Sequence, residues 1–281
     1  MSNEYEEKYV AAAKAIASAQ ALIIGAGAGM GVDSGLPDFR GDTGFWEAYP
    51  VYGQHNKSFS AMANPTWFKN DPAMAWGFYG HRLELYRDTV PHQGFQILRK
   101  WGERMQHGYF VFTSNVDGQF QKAGFDSARI AEIHGSIHQM QCTANCGVGI
   151  IDAAPFQVNI NMETMRAAEP LPTCPKCGAL LRPNIMMFGD WGWDSQRTQK
   201  QENRLHNWMS GLRSAKAQVV VIELGAGTAI PSVRSFCENE SARTGTTLIR
   251  INLRDYKVPS GAIGLSSGAL EALTRLDVAQ G

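Results

Sequence analysis

The sequence predicts an α/β fold in which helices cover both faces of a doubly wound parallel sheet, and three observations support this prediction. Four apolar runs lack polar alternation, as strands buried on both faces do. A glycine-rich turn follows the first run directly. Residues 4–19 carry an alanine-rich amphipathic pattern, which predicts a helix leading into that run. The four runs are 21–24, 109–113, 218–224 and 247–251.

The composition limits the class of protein. With 281 residues, of which 44% are apolar, the chain can bury a core as one large or two small domains. Lysine plus arginine equals aspartate plus glutamate, 26 each, so the total charge favours neither nucleic acid nor an anionic membrane as a partner. The N-terminal segment lacks the basic start and the long apolar run of a signal peptide or membrane span. We therefore expect a cytoplasmic enzyme.

The glycine-rich turn, GAGAGMG, predicts a phosphate-binding site. Its glycines allow positive φ and bring backbone N–H groups close to a ligand, and a helix starting beyond it would add its positive end. We expect Gly27, Ala28 and Gly29 to contact a dinucleotide. A glycine turn alone fits a tight structural turn equally well.

The residues after this turn depart from an ordinary dinucleotide fold. That fold places an acidic residue about 20 positions later, at the end of a second strand, to hold a ribose. The chain has no acidic residue in that setting and continues with Asp38, Phe39 and Arg40, which we expect to contact the cofactor beside the phosphates. For Asp38 the alternative is a residue that fixes the loop backbone.

Four of the five cysteines form two close pairs, Cys142-x3-Cys146 and Cys174-x2-Cys177. In a reducing compartment such pairs favour a metal over disulfides, and four thiolates enclose one tetrahedral zinc ion with no open position, so the site would be structural. The 27 residues between the pairs exceed the usual spacing, which we interpret as a longer insert. Free cysteines that happen to fall in pairs are the alternative. Cys237 is expected to pack as a small apolar residue.

Two segments interrupt the predicted sheet and predict a smaller lobe. The first carries two helical patterns, near 64–69 and 72–87, bounded by prolines, and the second contains the cysteine pairs without long helical periodicity. Two insertions into one nucleotide-binding domain would leave a cleft between a large and a small lobe. We predict a Rossmann-like domain of residues 1–44, 91–139 and 182–281, a helical insertion at 45–90 and a zinc-binding insertion at 140–181.

Five motifs in one order resemble the sirtuin family of NAD-dependent protein deacylases. After the glycine turn with its PDFR tail come TSNVDG from Thr113, EIHG from Glu132, the cysteine pairs, and LRP at 181–183 leading into FGD at 188–190. The resemblance runs from about Ala21 to Arg254. It implies NAD as co-substrate, one structural zinc ion, and acylated protein lysines as partners. The implied products are nicotinamide and O-acyl-ADP-ribose.

The resemblance also implies the catalytic residues. In the sirtuin scheme the acyl oxygen attacks C1′ of the nicotinamide ribose, and a histidine, here His134, then activates a ribose hydroxyl. An unperturbed imidazole is mostly a free base at neutral pH, as that step requires. Asn115 matches the residue that contacts the ribose, and Asp117 matches the carboxylate that receives the nicotinamide carboxamide. For both, the alternative is turn chemistry after a strand.

Further cofactor contacts follow from the resemblance. Phe39 matches an aromatic residue that covers the ribose after nicotinamide leaves, and Arg40 is expected near ribose and phosphate. The family commonly has serine at Gly31, glutamine at Ser114 and Gly-Thr-Ser at 225–227, so looser positioning of the nicotinamide ribose and a lower rate are expected. The remaining implied contacts are Ser114, Val116, Gly225, Ala226, Gly227 and, at the adenosine end, Asn252.

Tyr79 and Arg82 lie three residues apart in a predicted helix and so share a face. They resemble the pair in the sirtuin subgroup that removes acidic acyl groups such as succinyl and malonyl, where guanidinium and phenol grip a carboxylate. The alternative is an ordinary exposed arginine beside a half-buried tyrosine. Phe188 and Gly189 match the loop that pairs by backbone with the substrate peptide, although the family usually has glutamate at Asp190.

These residues are also compatible with two other functions. Transfer of ADP-ribose to a protein or other acceptor would use the same loss of nicotinamide without acyl transfer, and the departures at Gly31, Ser114 and 225–227 keep this function open. A non-catalytic module that senses NAD and presents a surface to a partner is the third. Dependence of nicotinamide release on an acylated lysine would separate the three functions.

Overall fold

A computed structural model describes residues 3–38, 41–54 and 58–280 of the chain. Its strands are β1 (Ala21–Ala26), β2 (Tyr109–Thr113), β3 (Ile130–Glu132), β4 (Gly135–Cys142), β5 (Ile151–Asp152), β6 (Ile160–Asn161), β7 (Arg166–Ala167), β8 (Leu181–Ile185), β9 (Val219–Leu224), β10 (Thr246–Ile251) and β11 (Ile263–Leu265). Its α-helices are α1 (Asn3–Ser18), α2 (Gly41–Ala48), α3 (Pro50–Gln54), α4 (Phe59–Met62), α5 (Trp67–Asn70), α6 (Pro72–Asp88), α7 (Gln93–Arg104), α8 (Gln119–Lys122), α9 (Gln196–Ala215), α10 (Ser232–Ser241) and α11 (Ala269–Val278). Two 3-10 helices cover Ala28–Ser34 and Ser127–Arg129. Within these ranges, no helix combines the length and the apolar character needed to cross a bilayer.

The large sheet has six strands, all parallel, in the order β11-β10-β9-β1-β2-β3. The predicted fold class is therefore confirmed. The chain builds outward from β1 to β3 on one side and later from β9 to β11 on the other, so the strand order reverses beside β1. Loops that leave adjacent strands in opposite directions open a crevice at the carboxyl ends of those strands. Here the crevice lies beyond Ala26, Thr113 and Leu224.

Helices cover both faces of this sheet. Leu22 and Ile24 of β1 point into one core, to which α1, α7 and α11 contribute. Ile23 points to the opposite face, where α10 packs through Val233 and Cys237. Because successive side chains of a strand point to opposite faces, burial on both sides requires the continuous apolar runs seen in the sequence.

A second core lies outside the large sheet. Trp76, Phe78 and Leu83 of α6 are fully buried there together with Met140 of β4 and Leu181 of β8. β4 pairs antiparallel with β5 and β8, while the short strands β6 and β7 pair with each other and pack on α6. This core draws on both predicted insertions. The boundaries given above for the two lobes stay a prediction.

Two local predictions differ from the structure. The helix expected beyond the glycine turn is instead the 3-10 helix Ala28–Ser34, which begins within the turn and ends at Gly35 with φ 85°. The pattern near 64–69 becomes helical only in α5. The Asn64 side chain accepts the Thr66 N–H at 3.0 Å and the Thr66 hydroxyl at 2.7 Å. Such local side-chain bonds compete with the first turn of a helix and delay its start.

Candidate active site

A cleft of about 640 Å³ opens at the carboxyl ends of β1, β2 and β9. Loops of the large sheet form one side, and α6 with the segment after β8 forms the other. The predicted site residues that line it are Gly27, Ala28, Asp38, Tyr79, Arg82, Ser114, Asn115, Val116, Asp117, His134, Phe188, Gly225, Ala226 and Gly227. The fold thus brings together most of a set that is dispersed along the chain.

The loops after β1 and β9 pack backbone against backbone at the base of the cleft. A Cβ atom on Gly29 would lie 2.7 Å from Gly225 Cα, and one on Gly225 would lie 2.4 Å from Gly29 Cα. Gly225 also has φ 59°, a value that L side chains rarely adopt. The Gly29 N–H donates to Gly225 O at 3.1 Å, and Gly29 is not among the residues that line the cleft. These two glycines set the loop packing, and both Gly225 and Gly27 also line the cleft.

His134 lies in the turn between β3 and β4. Gly135 makes this turn possible, with φ 78° and with Asn184 O only 2.0 Å from the position of a Cβ. The imidazole is half-buried and lines the cleft. Burial lowers the pKa of His134, and a hydrogen bond with the Ser114 backbone opposes part of this shift. The side chain is therefore neutral at neutral pH and can accept a proton.

Asn115 and Asp117 line the cleft and also fix its loops. Asn115 Nδ2 donates to Gly27 O at 3.0 Å, which joins the loop after β2 to the glycine turn. Asp117 Oδ1 accepts the Gln119 N–H at 2.9 Å. The turn chemistry considered as an alternative is therefore present at Asp117, whereas the Asn115 contact joins two loops that are distant in sequence. Burial raises the pKa of Asp117 to about 6, and the hydrogen bond from Gln119 opposes this shift.

Tyr79 and Arg82 lie on a buried face of α6, with exposed fractions of 1% and 6%, and both line the cleft. The alternative of an exposed arginine beside a half-buried tyrosine is wrong. The Tyr79 hydroxyl has no hydrogen-bond partner in the part of the chain that the structure describes. Buried polar groups are nearly always paired, so this phenol is a group that a ligand in the cleft could satisfy.

Tyr86 also lines the cleft, although the sequence motifs did not indicate it. Arg82 Nη2 and Nε donate to Tyr86 Oη at 2.8 and 3.2 Å. The only sequence signal for this contact is the four-residue spacing on one helix. Among the described residues, four aromatic rings surround the guanidinium. Arg82 Cζ lies 5.2–5.9 Å from their centroids, and their negative faces stabilise the buried cation. These rings belong to Phe59, Phe78, Tyr79 and Tyr86.

The segment after β8 forms the mouth of the cleft. Phe188 is exposed and lines the cleft, while its N–H donates to Ala63 O at 2.9 Å. Gly189 has φ 67° and is not among the lining residues. Asp190, where the family usually has glutamate, forms a buried ion pair with Arg182. This segment is therefore anchored on both sides of Gly189.

Of the other predicted cofactor residues, Asn252 does not line the described cleft, and two more cannot be placed in it or outside it. Asn252 is buried, and its Nδ2 donates to Ala226 O at 3.0 Å, so it supports the loop after β9 from behind. Phe39 and Arg40 lie outside the described residues. Asp38, immediately before them, does line the cleft.

The four paired cysteines converge away from the cleft. The sulfur atoms of Cys142, Cys146, Cys174 and Cys177 lie within 4.8 Å of one another. The Sγ atoms of Cys142 and Cys177 are 3.6 Å apart, as are those of Cys146 and Cys174. This distance is too long for a disulfide and close to the separation of about 3.8 Å expected for thiolates bound to tetrahedral zinc at about 2.3 Å. The cluster could therefore hold one zinc ion, and Cys237 is buried separately in the core beside β1.

The fold and the cleft define an α/β protein of Rossmann-like type with a dinucleotide-type site where the strand order reverses. A family model described as Sir2 family matches residues 27–221. The chain belongs to the Sir2 family, and the sirtuin resemblance of the five sequence motifs is confirmed.

Sequence similarity to known proteins extends over most of the chain. NAD-dependent protein deacylase 2 of Pyrobaculum aerophilum is 29% identical over 263 residues, which are 93% of this chain and 91% of that protein. The NAD-dependent protein deacylase of Thermococcus kodakarensis is 34% identical over 184 residues, 64% of this chain and 63% of that protein. Among solved structures, a mutant Sir2 homologue in complex with ADP-ribose aligns with a TM-score of 0.69 at 25% identity, covering 100% of this chain and 96% of that one. A Sir2 homologue in complex with NAD aligns with a TM-score of 0.67 at 26% identity, covering 95% and 92%.

Proposed function

We propose that this protein is an NAD-dependent protein lysine deacylase that yields nicotinamide, deacylated lysine and O-acyl-ADP-ribose. The observation that carries the proposal is a single cleft in which His134, Asn115 and Asp117 lie beside the glycine turn. Related proteins are named NAD-dependent protein deacylases, and similar structures hold NAD or ADP-ribose. These likenesses support the same assignment.

The described residues fit a dinucleotide. Gly27, Ala28 and 225–227 give the base of the cleft a surface of backbone and small side chains that phosphate groups can approach closely. When bound, NAD supplies a ribose C1′ that becomes electrophilic as nicotinamide leaves. We assign Asp117 to the nicotinamide carboxamide, because a carboxylate accepts amide N–H groups and Asp117 lies buried at the cleft wall.

His134 is assigned as the general base. Its lowered pKa leaves the imidazole neutral, so a ring nitrogen can accept the proton of a ribose hydroxyl at neutral pH. General-base catalysis of this kind typically contributes about 10²- to 10⁴-fold in rate.

We further propose that the acyl site accepts acidic groups such as succinyl and malonyl. A carboxylate enters an apolar cavity only if a cation and hydrogen-bond donors receive it. Arg82 supplies the cation, and the unpartnered Tyr79 hydroxyl supplies a donor on the same face of α6. An acetyl group would use neither.

We propose that the acylated peptide pairs by backbone with the segment after β8. The N–H groups of Met186, Met187 and Phe188 donate to His134 O, Asp190 Oδ2 and Ala63 O. Strand addition at this segment would therefore use its carbonyl oxygens, with N–H groups supplied by the peptide. Recognition through backbone atoms would tolerate many peptide sequences.

The proposal is tested by nicotinamide release from NAD with one peptide carrying acetyl-lysine, succinyl-lysine or unmodified lysine. Release is expected only with an acylated lysine, and Arg82→Met should reduce release with the succinyl peptide at least about tenfold more than with the acetyl peptide. Acyl-independent labelling of an acceptor by NAD would identify a transferase instead. Tight NAD binding without release across all peptides would identify a sensing module.

A further inference from the structure

We infer that Tyr86 determines acyl specificity: its hydroxyl oxygen holds the Arg82 guanidinium in place, and its hydroxyl proton is offered to an acidic acyl group. The inference rests on the proposed deacylase function and deepens it. It extends the acyl site from the Tyr79-Arg82 pair to a third residue that no sequence motif indicated.

The three side chains form one continuous surface. Tyr79, Arg82 and Tyr86 are spaced by three and four residues along α6, so they lie on one face of the helix. All three line the cleft, and their exposed fractions are only 1%, 6% and 5%. A ligand group reaching this surface is removed from bulk water, so hydrogen bonds there discriminate strongly between substrates.

Tyr86 fixes the orientation of the arginine. Two different nitrogens of the Arg82 guanidinium, Nη2 and Nε, donate to the same oxygen, Tyr86 Oη. Since the guanidinium is planar and rigid, two bonds from one of its edges define the direction of the whole group. The Tyr86 main chain is fixed in turn, because Gln119 Nε2 donates to Tyr86 O at 3.3 Å. Gln119 is the first residue of α8 and follows Asp117 by two positions.

The proton of the phenol is then directed away from the arginine. Burial raises the pKa of Tyr86, so its hydroxyl stays protonated at neutral pH. The oxygen accepts from Arg82, and in the described part of the chain no acceptor is found for the Tyr86 hydroxyl proton. A carboxylate held by Arg82 would accept this proton as a charge-assisted hydrogen bond. An acetyl group carries no carboxylate and would gain nothing from it.

The test compares Tyr86→Phe with wild type, using kcat and KM for succinyl-lysine and acetyl-lysine forms of one peptide. Tyr86→Phe keeps the ring and removes the oxygen. We expect the succinyl-to-acetyl ratio of kcat/KM to fall about tenfold or more, mainly through a higher KM for the succinyl peptide. Tyr52→Phe is the matched control, because Tyr52 is similarly buried in the same core, is not among the residues that line the described cleft, and its hydroxyl donates to Met165 O. This control should leave the ratio within about twofold.

A second arm separates a specificity role from a folding role. In an Arg82→Met background, Tyr86→Phe should cause little further change in the ratio, because the two residues act as one unit. If Tyr86→Phe lowered kcat/KM equally for both peptides, or left the succinyl-to-acetyl ratio of kcat/KM unchanged, the inference would be overturned. A wild-type enzyme that removes acetyl groups and not succinyl groups would overturn it as well. If wild type releases no nicotinamide with either peptide, the proposed deacylase function fails as well, and that result is distinct from the others.

Discussion

Asp190 Oδ2 lies 2.6 Å from Arg182 Nη2, and the two side chains are 1% and 5% exposed. The same carboxylate accepts the Met187 N–H at 3.3 Å and the Gly192 N–H at 3.2 Å. The Asp190 carboxylate therefore binds both ends of the loop that forms the mouth of the cleft and joins this loop to Arg182 of β8.

We predict that Asp190→Asn destabilises the protein by about 3–5 kcal/mol, since it leaves the Arg182 charge buried without its partner. Release of the loop should also raise KM for an acylated peptide. Urea denaturation and peptide kinetics measure the two effects. Asp194→Asn is the control, because Asp194 lies in the same loop and outside this ion pair. Equal stability of the two variants would show that the ion pair does not hold the loop.

Gly225→Ala should disrupt the base of the cleft. The new Cβ would meet Gly29 Cα at 2.4 Å, and alanine is strained at φ 59° by about 1–2 kcal/mol. We expect lower stability and at least about tenfold weaker NAD binding, measured by calorimetric titration. Gly211→Ala is a matched control, because Gly211 lies in α9, does not line the cleft and has nothing within 4 Å of the position of a Cβ. If both variants bound NAD as wild type does, the close packing of the two loops would not shape the site.

Asp117 should make the protein less stable at neutral pH than at mildly acidic pH. Its folded-state pKa of about 6 lies above the ordinary value of 3.8, so the folded state binds the proton more tightly than the unfolded state. The unfolding free energy should therefore increase as the pH falls from 7 towards 4, by about 2–3 kcal/mol from this group.

The measurement is the difference in unfolding free energy between wild type and Asp117→Asn at several pH values. Asparagine keeps an oxygen for the Gln119 N–H, so the variant should be the more stable protein at pH 7 and lose this advantage at pH 4. A pH-independent difference would mean that burial of this carboxyl carries no cost.

Removal of one clustered cysteine should unfold the small lobe. We predict one zinc ion per chain in the purified protein, and loss of zinc with lower thermal stability in Cys174→Ser. Cys237→Ala serves as the control, because Cys237 lies in a different core and should keep the metal. Metal analysis of both variants decides the matter. Full zinc content in Cys174→Ser would rule out a four-cysteine site.

The large sheet could be predicted from the sequence because burial on both faces produces apolar runs without alternation. The run at 109–113 coincides with β2 for this reason. The cleft followed from the parallel sheet, since the residues after its strands meet at one edge. Periodicity assigns residues to a face of a helix, and it does not say what covers that face. The burial of Arg82 and its contact with Tyr86 therefore needed the structure.

The positions of other site side chains depend on contacts between residues that are distant in sequence. Asn252 follows its strand as Asn115 does, yet one packs behind the loop at Ala226 and the other lines the cleft. The same residue type after a strand suits either position. The position taken depends on the loop that each residue meets in the fold: Asn252 contacts the loop after β9, and Asn115 contacts the loop after β1.

The proposed deacylase function requires that His134 accepts a proton during acyl transfer. The most direct measurement is the single-turnover rate of deacylation of an acylated peptide by His134→Asn, with NAD affinity measured on the same sample. His206→Asn, a substitution on the exposed surface of α9, is the control. We predict a loss of about 10²-fold or more for His134→Asn, with NAD affinity kept within about threefold and the control unchanged. Deacylation by His134→Asn at the wild-type rate would contradict the account.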